Sequence, residues 1–246
     1  MVAREERRVG ELNSQSTMAI WRCSLVVLLA IAFGYIEAAV VVYLRQIFYP
    51  GGFSFPLPRS PLTAGSSSLF AVEIAREAAT IVLIFCAAFL SGQSRRQRLA
   101  YFLIIFAVWD LFYYVWLWVI LGWPSSILDW DILFLIPLPW AGPVLAPVLV
   151  SLLLSVVAGM ILYGDSAGRP VKMSLWDLLG YSLSGIAFIT SFCIAGSHIT
   201  QSDYASHFSW PIFTAGLLAS GGISLRSICK NRKNQQLPNG KQAGVL

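Results

Sequence analysis

Charge is scarce in this chain. Asp, Glu, Lys and Arg together make up 12% of its 246 residues, where a soluble domain carries about a quarter. Histidine occurs twice and cysteine four times. The cysteines Cys23, Cys86, Cys193 and Cys229 stand far apart and form no CxxC pair. Neither a thiolate metal site nor a disulfide framework is therefore expected, and buried structural thiols are. There is no HExxH, no Walker loop, no GxSxG elbow and no CxxCH haem attachment, so the motif-bearing metalloprotease, P-loop, hydrolase and cytochrome classes find no support. No internal repeat is evident, and no polar connecting stretch is long enough for a second folded domain.

What remains is apolar. Hydrophobic residues make up 57% of the chain and its mean hydropathy is +0.70. They come in blocks of about 20 residues, the length that crosses a hydrocarbon core of about 30 Å. A soluble helix needs a polar face and cannot use such blocks. The sequence predicts an all-α polytopic membrane protein with about six transmembrane helices. The spans are placed at roughly 20–44, 69–91, 99–121, 144–163, 175–195 and 210–228. The first block begins beside a basic start but is too long for a signal-peptide core and contains Glu37, so it is read as an uncleaved span. Residues 1–19 form a cytoplasmic N-terminal segment, 20–228 a single membrane domain, and 229–246 a basic cytoplasmic tail.

Two connections are rich in proline. Residues 45–68 contain Pro50, Pro56, Pro58 and Pro61, and 125–143 contain Pro137, Pro139 and Pro143. Proline at that density removes helix donors. The second stretch is expected to be an irregular cap or a re-entrant segment before span four, since irregular backbone at membrane depth survives only against protein or a wet cavity. Gly180/Ser184 and Gly216/Ser220 have the small-xxx-small spacing that lets helices approach closely.

The net charge of +5 does not indicate nucleic acid, because the basic residues flank the spans. All but three of the 17 fall on one side: Arg4, Arg7, Arg8, Arg22, Arg95, Arg96, Arg98, Arg169, Lys172, Arg226, Lys230, Arg232, Lys233 and Lys241. Arg45 and Arg59 fall on the other, and Arg76 lies within a span. By the positive-inside rule both termini are cytoplasmic, in what reads as a bacterial cytoplasmic (inner) membrane. The basic tail is an anchor to anionic lipid.

The chemistry is expected among the acids inside the spans. At 1.5 Å per residue, Glu37 lies roughly 10 Å from the outer end of its span, Glu73 and Glu77 roughly 6 and 12 Å, and Asp110 roughly 16 Å. Three helices thus place carboxylates at similar depth. Glu73, Arg76, Glu77 and Thr80 form one helical stripe, and Asp110 shares its face with Tyr113 and Tyr114. Charge is costly in hydrocarbon, so these stripes should face the interior. One Arg76 cannot neutralise four carboxylates; it pairs with one or two, in bidentate geometry at best.

Asp129 and Asp131, flanking Trp130, join the candidates from the cap. His198 and His207 are weak metal candidates, nine residues apart across a loop. No cofactor is indicated. The aromatics of span three and the cap (Trp109, Phe112, Tyr113, Tyr114, Trp116, Trp118, Trp123, Trp130, Trp140) read first as an interfacial belt and more sharply as a wall for an apolar or lipid-like ligand.

Taken together, the residues predict an outward-facing carboxylate-rich pocket between spans one, two and three, roofed by 125–143. The first functional reading is a small ligand or ion, in proton- or cation-coupled transport. The others are a membrane-embedded enzyme acting on a lipid or isoprenoid, and a non-catalytic subunit or assembly factor in which the acids are a register clasp. A membrane-protein partner or a homo-oligomer is left open.

Overall fold

The computed structural model describes the backbone of residues 2–58, 67–136, 138–171 and 173–236, and within that set the side chains of 17–18, 20–58 and 68–230. Arg4, Arg7, Arg8, Arg59, Pro61, Pro137, Lys172, Arg232, Lys233 and Lys241 were part of the sequence reading, and their side chains lie outside the described residues. Six long helices follow one another: α1 Val2–Phe48, α2 Ser67–Ser91, α3 Arg95–Leu121, α4 Leu145–Ser166, α5 Leu175–Gly196 and α6 Trp210–Gln236. Each contains a stretch long and apolar enough to cross a membrane, at Ile20–Phe48, Ser68–Ser91, Arg95–Leu121, Leu145–Ser166, Leu175–Gly196 and Trp210–Lys230. The chain is an all-α multi-pass membrane protein. Its outer surface agrees: large apolar side chains such as Leu90 (85% exposed) and Leu218 (76%) point away from the bundle, which hydrocarbon tolerates and water does not.

The helix ends follow from local chemistry. Ser94 accepts a hydrogen bond from the Gln97 backbone N–H to start α3. Gly122 ends α3 in the left-handed region at φ 65°, which glycine adopts without cost. Ser174 and Asp177 form a reciprocal capping box at the start of α5, and Arg226 of α6 pairs with the same Asp177.

Several boundaries differ from the sequence reading. α1 runs four residues beyond the expected end of span one, to Phe48, and begins at Val2 rather than in the twenties. The apolar block alone defined the expected span, whereas a helix continues into polar residues wherever nothing breaks it. The cap before α4 is more regular than expected: β1 (Trp130–Phe134) pairs antiparallel with β2 (Trp140–Pro143), with an irregularity between Ile132 and Phe134. Pro139 stands just before β2 and Pro143 at its end, where they cost no ladder bond. The thiols are not buried: Cys86 and Cys229 are exposed on the bundle surface, and Cys23 and Cys193 are half-buried.

α1, α3 and α4 pack side by side, α2 lies against α3 and touches α1 only sparsely, and α5 and α6 form a second pair. The first group is filled by Val26, Ala30, Ile84, Ile105 and Trp109. The second is joined to α4 by Phe188, Phe192, Phe208 and Phe213 around Ala146. The small residues serve this pairing: a Cβ on Gly180 would meet Ile223, and one on Gly216 would meet Phe188, Ala187 and Ser184 of α5.

The α1–α2, α3–α4 and α5–α6 connections meet at one end of the bundle. The Leu57 N–H donates to the Ile199 carbonyl, and the Tyr204 ring packs tilted against Phe55 and edge-on against Trp130. Gly196 lets the hairpin tip close onto α5, since a Cβ there would lie 1.8 Å from the Pro139 carbonyl oxygen. This cap roofs the space between α1, α2 and α3.

Candidate functional site

Beneath the cap is a cavity of about 460 Å³, within the usual size of a small-molecule site. Five carboxylates line it, Glu37, Glu73, Glu77, Asp110 and Asp131, and two guanidiniums, Arg45 and Arg76. All four of the intramembrane acids expected to converge do so, and the cap contributes the fifth.

Arg76 is held on three sides. Its Nε and Nη2 donate to the two carboxylate oxygens of Glu73 at 2.9 and 2.5 Å, and its Nη1 donates to Glu37 Oε2 at 2.5 Å. The i, i+3 spacing on α2 makes the bidentate pair possible, and the third bond crosses to α1. Because α1 and α2 touch so sparsely, this ion triad is the principal tie between them.

Arg45 holds the cap in a similar way. It is two helical turns beyond Glu37 on α1, and its Nη2 donates to Asp131 Oδ1 at 3.0 Å. The guanidinium lies between the rings of Phe53 (4.1 Å) and Trp123 (3.8 Å), each a cation–π contact that fixes its plane. Asp131 is 2% exposed and also accepts from the Tyr113 hydroxyl at 3.0 Å and from the Ile132 N–H. A buried carboxylate with one cation and two further donors is fully satisfied.

Glu77 and Asp110 are different: neither bonds a cation. Glu77 Oε2 accepts the Leu135 backbone N–H at 2.8 Å, just past the end of β1. Asp110 Oδ2 accepts from the Ser151 hydroxyl of α4 at 2.8 Å. Two carboxylates with single neutral partners thus face a cavity whose other three are tied to arginine.

Two residues that line the cavity each bury a polar group that has no partner among the described residues: Trp109 Nε1 and the Tyr114 hydroxyl. Their residues are 4% and 5% exposed. A buried donor without an acceptor costs about 1–3 kcal/mol.

The remaining candidates go elsewhere. Asp129 does not reach the cavity. Its Oδ2 accepts from the Ser125 N–H, the Ser125 hydroxyl and the Ser126 N–H, closing the turn after α3. His198 and His207 do come together, but as rings stacked 3.7 Å apart and 6° from parallel. His207 Nε2 lies 3.2 Å from Asp203, and His198 Nδ1 lies beside Ser197 and the Ile194 carbonyl. Stacked faces set ring nitrogens side by side rather than converging them on an ion, and no group of three His, Cys, Asp or Glu is placed to hold a metal among the described residues. Trp116 and Trp118 also leave the site: Trp116 Nε1 donates to the Ile31 carbonyl, and Trp118 faces outward.

Arg45 is the residue the sequence reading missed. It looked like an ordinary flanking base. The signal was its spacing from Glu37 through Val41, which keeps all three on one face of α1. Ser151 carried no signal, since nothing in a sequence distinguishes one serine of an apolar helix from another.

Comparison with protein-family models, with characterised proteins and with solved structures returns no match. No family is assigned. The functional reading therefore rests on the cavity itself.

Proposed function

We propose that the protein binds a small organic cation in this cavity and exchanges it for protons, as an outward-facing transporter of the bacterial cytoplasmic membrane with both termini in the cytoplasm. The observation that carries the reading is the charge imbalance: five carboxylates against two guanidiniums, with Glu77 and Asp110 bonded only to neutral donors. A cation, or a proton on each acid, offsets that excess. The aromatic lining, with Trp109, Tyr113, Tyr114 and Phe53, suits an alkylated ammonium. Glu77 and Asp110 carry the exchangeable protons, while the arginine-bound acids hold the walls.

The test is uptake of benzyltrimethylammonium, a permanent cation, into proteoliposomes that are acidic inside, beside its calorimetric binding to the purified protein. At least tenfold more uptake than in protein-free liposomes is expected, lost in Glu77→Gln and Asp110→Asn variants that still unfold at the wild-type temperature. Background uptake with no measurable binding sinks the reading. A reporter fused after Gln97 tests the orientation and should report from the cytoplasm.

A second reading, a membrane-embedded enzyme acting on a lipid or isoprenoid, is favoured by one observation: an apolar cavity adjoins this one across Asp110. It predicts chemical change in a lipid incubated with the protein, where transport predicts none.

A further inference from the structure

The adjoining cavity has about 560 Å³ and lies among α3, α4, α5 and α6. Phe102, Phe106, Leu153 and Ile189 are typical of its walls, and among the described residues Asp110 is its only charged one. Two residues, Asp110 and Leu133, line both cavities. The partition between an acid-rich space and a hydrocarbon-like one is thus a single layer of side chains, fastened by the Asp110–Ser151 hydrogen bond. A third unpartnered buried donor, Trp140 Nε1, lies on the apolar side.

We infer that the two cavities are halves of one site for a single-chain amphiphile. Its alkylated ammonium head sits against Glu77, Asp110 and the neighbouring aromatic rings, and its hydrocarbon chain lies between α3 and α6. The charge of the head rests on the reading proposed above; the place of the chain does not. The neighbouring carboxylates select an amphiphile with a cationic head over a neutral one, because chain burial alone gains little for a molecule already dissolved in a bilayer.

Gly185 gives a clean way to fill the second cavity. It lines that space, and a Cβ built on it meets nothing within 4 Å, so a large side chain there enters the cavity rather than a neighbouring helix.

The experiment uses dodecyltrimethylammonium carrying a diazirine on its terminal carbon, photolysed with the full-length protein in lipid nanodiscs and mapped by mass spectrometry. Label is expected at Leu153, Val157 and Phe188, reduced at least tenfold by excess benzyltrimethylammonium. A dodecanol probe with the same diazirine should label these residues at least tenfold less. Gly185→Phe, or Ser182→Leu as a second filling variant, should abolish that label while benzyltrimethylammonium affinity stays within twofold, which also shows that the variant is folded. Equal labelling by the alcohol, or label confined to outward residues such as Leu90 and Leu218, overturns the inference: the cavity then holds only bilayer chains. The cation-binding reading survives that result if benzyltrimethylammonium still binds, and falls separately if it does not.

Discussion

Among the described residues, the cavity under the cap has five carboxylates and two guanidiniums on its walls, whereas the cavity between α3 and α6 has Asp110 alone for charge. The first is built from cross-links. Arg76 ties α2 to α1, Arg45 ties α1 to the hairpin, Glu77 ties the hairpin to α2, and Asp110 ties α3 to α4. Among the described residues the second has no ionic tie on its walls; the Asp177–Arg226 pair joins α5 to α6 beyond them, and otherwise its helices close on one another through aromatic and small-residue contacts at its margins. In hydrocarbon the hydrophobic effect does not press helices together, so packing and polar bonds must do it. A charged cavity is held open by bonds that fail one by one; an apolar one persists wherever helices diverge.

The sharpest way to break this contrast is to remove Arg76. An Arg76→Met variant leaves Glu37 and Glu73 buried without a cation, and losing one partner of a buried ion pair costs about 3–5 kcal/mol. We expect a sharply lower unfolding temperature in detergent, largely restored when Glu37→Gln and Glu73→Gln are added. A loss below about 1 kcal/mol would mean that the triad is not what joins α1 to α2.

Next comes the roof. Gly196→Val places a side chain against the Pro139 carbonyl, and forced overpacking costs about 1–3 kcal/mol. Because the hairpin tip must lift, the variant should also weaken benzyltrimethylammonium binding, although Gly196 is on α5 and does not line the charged cavity. Unchanged affinity with lowered stability would show that the roof and the pocket are independent.

Glu77→Gln and Asp110→Asn sharpen the comparison from the other side. Each amide keeps an oxygen for the Leu135 N–H or the Ser151 hydroxyl, so unfolding should shift by less than about 1 kcal/mol. Uptake should nevertheless fall at least tenfold. The acids that hold the walls and the acids that face the ligand would then separate by stability against activity.

How much of this was legible beforehand follows the same division. Glu37, Glu73, Glu77 and Asp110 were recognisable because hydrocarbon penalises charge whatever its partner, so depth and helical face sufficed. Arg76 was recognisable as their neighbour because its Glu73 pair is local. Arg45–Asp131 was not, because the partners are 86 residues apart and a base at a span's end has an ordinary reading as a topology signal. The hairpin hid behind Pro137, Pro139 and Pro143, which argue against helix without arguing for strand. The apolar cavity left no trace, since a residue lining it and a residue facing lipid obey the same composition rule.

The smallest expected effect probes that last point. Gly185→Ala replaces a helix-interior glycine where the added methyl meets only open space. Glycine is less favourable than alanine within a helix by up to about 1 kcal/mol, so stability should be unchanged or slightly raised on thermal unfolding. A comparable methyl on Gly180 or Gly216 should lower it, because Ile223 or Phe188 stands in the way. If Gly185→Ala were as damaging as Gly180→Ala, α5 would have to close on α4 or α6 where the structure leaves a gap. The apolar cavity would then be an ordinary helix interface, and the contrast with the charged cavity would vanish.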